Sequence, residues 1–190
     1  MITANGVCVI VQARLASTRL PQKALTKLDE NVLLEHVLRA LHTVNAQCFV
    51  LACDYNSYKS FAPFAERAGF LIVQGSEVDV LSRFVIALDA AQTFCREQNL
   101  PPITCIVRAT ADNPFLFVEA INDSIDQYFA LDMPDYFTFT GLPHGSGVEL
   151  LKPEALVAAN NIAKSDYERE HVGPSLYHHK DKFSIVYETA

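Results

Sequence analysis

Short β-branched and apolar runs alternate with longer amphipathic stretches along most of this chain, and a layered α/β fold is what buries that pattern. The run at 7–11 is apolar at five consecutive positions and leaves no polar face for water, so residues 7–12 are expected to form a strand covered on both sides. Further strands are expected at 48–53, 70–73, 103–108, 136–139, 148–151 and 183–187. Between them, Leu34, Val37, Leu38 and Leu41 recur at helical spacing within 33–43. Phe61, Phe64, Ala65 and Ala68 do the same in a helix that Gly69 ends, and Leu81, Phe84, Val85, Leu88 and Ala91 share one side of a long helix over 80–97. Helices are also expected over 118–129, from Pro153 to about 161 and from near Asp166. No linker interrupts the series, and 190 residues fall within the ~100–200 typical of one domain, so 1–190 is expected to fold as a single unit.

Open α/β sheets bind ligands at the carboxyl ends of their strands. Directly after the first strand the chain reads QARLASTRLPQK, residues 12–23. Arg14, Arg19, Lys23 and Lys27 fall in the first 28 residues with no acidic neighbour, although the chain has a formal charge of −7, so the remainder carries −11. A small phosphorylated anion held at the strand end, with Ser17, Thr18 and backbone amides as further donors, accounts for this cluster. Cations spaced along a loop that Pro21 stiffens would reach different phosphate oxygens of a triphosphate and stabilise a pyrophosphate leaving group. A basic surface loop paired with the acidic remainder accounts for the cluster equally well. The segment TADNP after the strand at 103–108 would bring the Asp112 carboxylate to the same sheet end. Neither GxxxxGK[ST] nor GxGxxG occurs, which excludes the P-loop and the dinucleotide fingerprint.

Other classes recede on similar grounds. The acidic balance opposes binding to nucleic acid, which needs broad Lys/Arg surfaces. No apolar run approaches the ~20 residues that span a bilayer, and residues 1–6 offer no signal-like region, so no membrane partner and a cytoplasmic location are expected. Cys8, Cys48, Cys53, Cys95 and Cys105 are odd in number and lack CxxC spacing, as reduced buried residues do. His36 and His42 read as structural, His178 and His179 as solvent-facing, and the Tyr and Phe residues as core.

The basic segment resembles the opening of the CTP-dependent cytidylyltransferases, especially the spore-coat polysaccharide type, with relatives that activate 3-deoxy-manno-octulosonate and acylneuraminates. Their pattern Q-A-R-x-x-S-[ST]-R-L-P-x-K-x-L is met by Gln12, Ala13, Arg14, Ser17, Thr18, Arg19, Leu20, Pro21, Lys23 and Leu25. In the same order, GSEVDVLSRFVIAL (75–88) is similar to G-x-x-x-D-V-L-x-R-[FY]-x-x-A and VRATADNPF (107–115) to R-x-T-x-D-x-P. PHGSGVELL (143–151) is similar to P-x-G-x-x-V-E, and YEREHVGP (167–174) to R-E-H-V-[TS]-P.

The resemblance implies a three-layer, nucleotide-diphospho-sugar transferase-like (Rossmann-like) fold, with a mixed, mostly parallel sheet and helices on both faces. It implies transfer of CMP from CTP to a sugar or sugar acid with release of pyrophosphate, Mg²⁺ as cofactor, and a homodimer. Carried over by residue, Arg14 and Lys23 are triphosphate ligands and, with Asp112, catalytic; Gln12, Ala13, Ser17 and Arg19 shape the nucleotide loop, and Asp79 and Arg83 border the nucleotide. Asp112 is the metal carboxylate, and Glu149, Arg169 and His171 belong to the acceptor side. Against these stand plain alternatives: a helix cap for Asp112, an Asp79–Arg83 ion pair, an exposed strand face for Glu149 and a hydrogen-bonded core histidine for His171.

The family has glycine where this chain has Ala16, Gln22 and Ala111, which would narrow the pocket or weaken CTP binding. It also continues past its last strand into a D-x-x-x-D segment whose first aspartate helps hold magnesium, whereas this sequence runs to Ala190. These departures motivate a second reading, a catalytically impaired relative that binds nucleotide or serves assembly. A glycosyltransferase using a nucleotide-sugar donor is a third, although its usual D-x-D pair does not occur here.

Overall fold

The computed structural model describes residues 6–16, 20–143 and 145–190. Ser17, Thr18 and Arg19 of the basic loop, and His144, lie outside the described residues.

The chain opens with β1 (Val7–Ala13), a 3₁₀ turn (Lys23–Leu25) and a small hairpin of β2 (Lys27–Leu28) and β3 (Asn31–Val32). There follow α1 (Leu33–Leu41), β4 (Cys48–Asp54), α2 (Tyr58–Ala68), β5 (Leu71–Gly75), α3 (Val80–Glu97) and β6 (Cys105–Thr110). The second half contains α4 (Val118–Ala130), β7 (Tyr136–Thr140), β8 (Glu149–Leu151), α5 (Pro153–Ile162), α6 (Asp166–His171), α7 (Pro174–Tyr177) and β9 (Ile185–Thr189). The sheet runs β5-β4-β1-β6-β8-β7-β9, with β8 antiparallel to both of its neighbours and every other pairing parallel.

β1 lies in the middle, and its apolar run is continuous because each face meets a helical layer. Val7, Val9 and Val11 pack with Leu34, Val37 and Leu38 of α1, Phe61 of α2 and Ile121 of α4. Cys8 and Ile10 point the other way, into a cluster with Leu81 and Phe84 of α3, Leu156 of α5 and Leu176 of α7. Each fully buried Val or Ile contributes about 1.5–3 kcal/mol by leaving water, so a charge at Val9 or Ile10 would break the sheet centre. Gly69 ends α2 at φ 73, the left-handed conformation that glycine adopts at little cost. The hairpin and α7 are too short to leave a periodic signal.

All five cysteines are free and buried, and no described helix is long and apolar enough to cross a membrane. Phe61, Phe84, Tyr128, Tyr136 and Phe137 lie in the core as expected, whereas Phe115, Phe117, Tyr55 and Tyr167 are exposed.

β1 and β6 lie side by side, with Gln12 opposite Thr110, but the chain leaves them in opposite directions. After β1 it turns through α1 toward β4, and after β6 through α4 toward β7. The crevice between their carboxyl ends is therefore the switch point of the sheet, where such folds bind ligands.

Candidate active site

A cleft of about 190 Å³ occupies that crevice. Gln12, Ala13 and Arg14 form its floor at the end of β1, Lys23 reaches it from the 3₁₀ turn, and Asp112 from beyond β6. Arg83 of α3 and Glu170 and His171 of α6 close the remaining sides.

Leu15 fixes the basic loop through both of its backbone groups. Its carbonyl accepts from the Gln22 amide at 2.9 Å, closing the loop upon itself. Its amide donates to Ser57 Oγ at 2.8 Å, tying the loop to the start of α2. The Ser57 hydroxyl in turn donates to the buried Asp54 carboxylate, which also accepts the Asn56 and Ser57 amides at 2.9 and 3.1 Å. With Leu15 as donor and Asp54 as acceptor, the Ser57 hydroxyl has one orientation.

Two ion pairs cross the cleft. Lys23 Nζ stands 3.4 Å from Asp112 Oδ2, and Arg14 Nη2 stands 3.1 Å from Glu170 Oε1. The Lys23 and Asp112 side chains are 39% and 55% exposed, so water screens their attraction to ~0–1 kcal/mol and the pair opens at little cost. Burial alone would raise the Asp112 pKa, but the Thr110 hydroxyl and Lys23 outweigh it and hold the carboxyl below the usual aspartate range. Asp112 therefore presents an ionised, half-exposed oxygen pair at the strand end.

Arg83 lines the cleft from α3 at only 1% exposure. Its Nη1 donates to the Ser76 carbonyl at 2.8 Å, and its Nε has no partner among the described residues. Burial lowers its pKa, the nearby Asp54 opposing that shift. It does not pair with Asp79. Asp79 Oδ1 instead caps α3 by accepting the Ser82 amide at 2.9 Å, and its Oδ2 receives Arg169 Nη1 at 3.3 Å. Arg169 is further committed to Asn160 Oδ1 and to the Asn160 and Ala163 carbonyls. Asp79 and Arg169 thus tie α6 to α3 and do not line this cleft. The pair holds the segment that carries Glu170 and His171, and both of these line the cleft.

The end of α6 is strained. Val172, buried and β-branched, holds φ 64 and ψ −67, a γ-turn closed by the Gly173 amide on the His171 carbonyl at 2.8 Å. His178 and His179, expected to face solvent, both approach Glu168, His179 Nε2 at 2.9 Å from Oε1 and His178 at 4.0 Å.

A second cleft, about 210 Å³, adjoins the first and shares Thr110 with it. Glu149 of β8 and Arg108 of β6 stand opposite each other in register and are joined by Arg108 Nη1 to Glu149 Oε2 at 2.5 Å. Arg108 is a functional candidate that sequence reading did not single out. Its signal was present, a charge inside an otherwise apolar strand within the VRATADNPF block.

Among the described residues no group of three or more His, Cys, Asp and Glu side chains is arranged to hold a metal ion. Asp112 nonetheless fits a hard divalent cation that takes its remaining ligands from phosphate oxygens and water. Two side-chain cations, an ionised carboxylate and an adjoining polar cleft suit in-line phosphoryl chemistry, because charge can be stabilised where it develops.

Comparison with known proteins places the chain among relatives. The family model described as cytidylyltransferase matches residues 8–190. An uncharacterised protein of Methanocaldococcus jannaschii is 30% identical over 180 residues, covering 94% of this chain and 70% of that protein. The spore coat polysaccharide biosynthesis protein SpsF of Bacillus subtilis is 28% identical over 193 residues, covering 96% and 75%. Among solved structures, a cytidylyltransferase from Leptospira borgpetersenii shares the fold with a TM-score of 0.83 at 24% identity, covering 98% of this chain and 76% of that one.

Proposed function

The chain belongs to the cytidylyltransferase family, and from that premise we propose that it moves CMP from CTP to a sugar or sugar-acid hydroxyl for surface polysaccharide or glycoconjugate synthesis, with Mg²⁺ as the metal. Its likeness to the spore coat polysaccharide protein supports the sugar acceptor. The observation that carries the reading is the convergence of Arg14, Lys23 and Asp112 on one cleft at the switch point of the sheet.

In this mechanism Arg14 and Lys23 leave their carboxylate partners and bind triphosphate oxygens, with Ser17 and Arg19 completing the loop. The acceptor hydroxyl oxygen forms a bond to the α-phosphorus, and the bond from that phosphorus to the bridging oxygen breaks. Pyrophosphate leaves with the electron pair, and the hydroxyl proton passes to water. Arg14 and Lys23 stabilise the charge that builds on the leaving group. A divalent cation held by Asp112 would, when bound, supply neutralisation of the phosphate oxygens. Glu149 serves the acceptor side. CTP as donor is consistent with a cytoplasmic location, and a homodimer follows the family.

The test is pyrophosphate release with each of the four nucleoside triphosphates, Mg²⁺ and a panel of sugar acceptors. Acceptor-dependent release with CTP alone is expected. Equal release with all four, or none with CTP in the full-length protein, overturns the reading.

A further inference from the structure

The second cleft has two formal charges among its described lining residues, and they cancel. Arg108 and Glu149 form the pair at 2.5 Å. The remaining polar wall, from Thr110, Asn113 and Thr138, is uncharged.

Glu149 is held from three sides. Arg108 Nη1 donates to Oε2, the Tyr136 hydroxyl donates to Oε1 at 2.9 Å, and Gly173 leaves space, since a Cβ there would stand 2.7 Å from Oε1. Arg108 is held as well: its Nη2 donates to Gln12 Oε1 at 3.0 Å, and its Nε is buried without a partner among the described residues. Gln12 lines the nucleotide cleft, so this network joins the two clefts. Neither partner can turn away without leaving a charge or a donor unsatisfied.

Resting on the cytidylyltransferase reading, we propose that the acceptor seated in this cleft is a sugar that carries no carboxylate, neutral or amino-bearing, and that Glu149 rejects sugar acids. An ulosonic acid bears its carboxylate on the anomeric carbon, beside the attacking hydroxyl, and cannot keep it clear of the reacting end. Arg14 and Lys23 are taken by the triphosphate. Arg108, the one cation among the described lining residues of this cleft, is already paired with Glu149, so an entering carboxylate meets Glu149 without compensation. A hydroxyl or an ammonium group finds in Glu149 an acceptor already oriented.

Two measurements test this. With CTP and Mg²⁺, kcat/KM is compared for neutral sugars, amino sugars and ulosonic acids, in the wild type and in Glu149→Gln. That variant keeps an oxygen for Arg108 and removes the negative charge. The wild type should favour carboxylate-free acceptors by about tenfold or more, and Glu149→Gln should move the ratio toward the acids by a similar factor. Preference of the wild type for acids, or an unmoved ratio in the variant, overturns the proposal while leaving the cytidylyltransferase reading intact. If neither class supports release, that reading fails instead, and acceptor binding followed by NMR in the presence of CTP decides the proposal. Tighter binding of the acids would then overturn it, and tighter binding of the carboxylate-free sugars would support it.

Discussion

The Leu15 amide donates to Ser57 Oγ at 2.8 Å, and through this bond the start of α2 sets the path of the loop that carries Arg14. Ser57 is fully buried, so no water replaces it if the hydroxyl is removed. Ser57→Ala leaves the Leu15 amide without its acceptor and deprives Asp54 of one donor. It should cost about 1–3 kcal/mol of stability. If the bond shapes the phosphate loop, CTP affinity should fall about fivefold or more as well. Urea unfolding and calorimetric titration with CTP separate the two effects. Lost stability with unchanged affinity would make the bond a feature of the fold alone.

Lys23 contributes little in the empty cleft and much in the filled one. Its pair with Asp112 is half-exposed, so Lys23→Ala should change folding stability by less than about 1 kcal/mol. Against a triphosphate the same ammonium makes a charge-assisted hydrogen bond worth ~1.5–3 kcal/mol, so the CTP dissociation constant should rise about 10- to 150-fold. Equal affinities of variant and wild type would remove Lys23 from the site.

The parts of this arrangement that depend on neighbours in sequence or on parallel strands were legible beforehand. Val7 to Val11 could be buried only between two layers, and a strand followed by QARLASTRLPQK placed cations at a sheet end. TADNP did the same for Asp112, and the structure brings Lys23 within 3.4 Å of it. The Arg108–Glu149 pair was not legible, because it depends on β8 inserting antiparallel between β6 and β7. No local pattern encodes that register. Asp79 and Arg83, four apart on a helix, looked like partners. Asp79 is instead drawn to Arg169, ninety residues on, because its place at the helix start leaves one oxygen for the Ser82 amide and one for α6. Ser57 carried no signal, because its role comes from a contact between the loop after β1 and the start of α2, 42 residues apart in sequence.

Of the three positions where the family has glycine, Gln22 alone adopts the left-handed region, at φ 56 and ψ 28; Ala16 and Ala111 do not have positive φ. A non-glycine residue there costs roughly 1–2 kcal/mol, whereas glycine adds back ~0.4–1 kcal/mol of unfolded-chain entropy. Gln22→Gly should therefore stabilise by about 0–1 kcal/mol, up to ~2–4 °C in Tm for a chain of this size. Gln22→Val, β-branched in the same conformation, should lose at least ~1 kcal/mol. Differential scanning calorimetry of the two variants checks the order, and a destabilised glycine variant would contradict it.

The acid limb of stability should depend on Glu168. Burial would raise its carboxyl, but the Ser165 and Lys164 amides, the Ser165 hydroxyl and His179 together lower the pKa from 4.5 to about 2. A folded pKa below the unfolded one means that the protonated carboxylate is favoured in the unfolded chain. The stability gained is fully present above the unfolded value and is lost as pH falls through the folded value, a window from about pH 5 to 2. Glu168→Gln should lower stability at pH 7 and flatten its dependence across that window. Urea midpoints at pH 7, 5, 4 and 3 give both slopes. Because Glu168 also anchors the start of α6, which presents Glu170 and His171 to the cleft, the wild type should lose CTP affinity over the same acid range before the sheet unfolds.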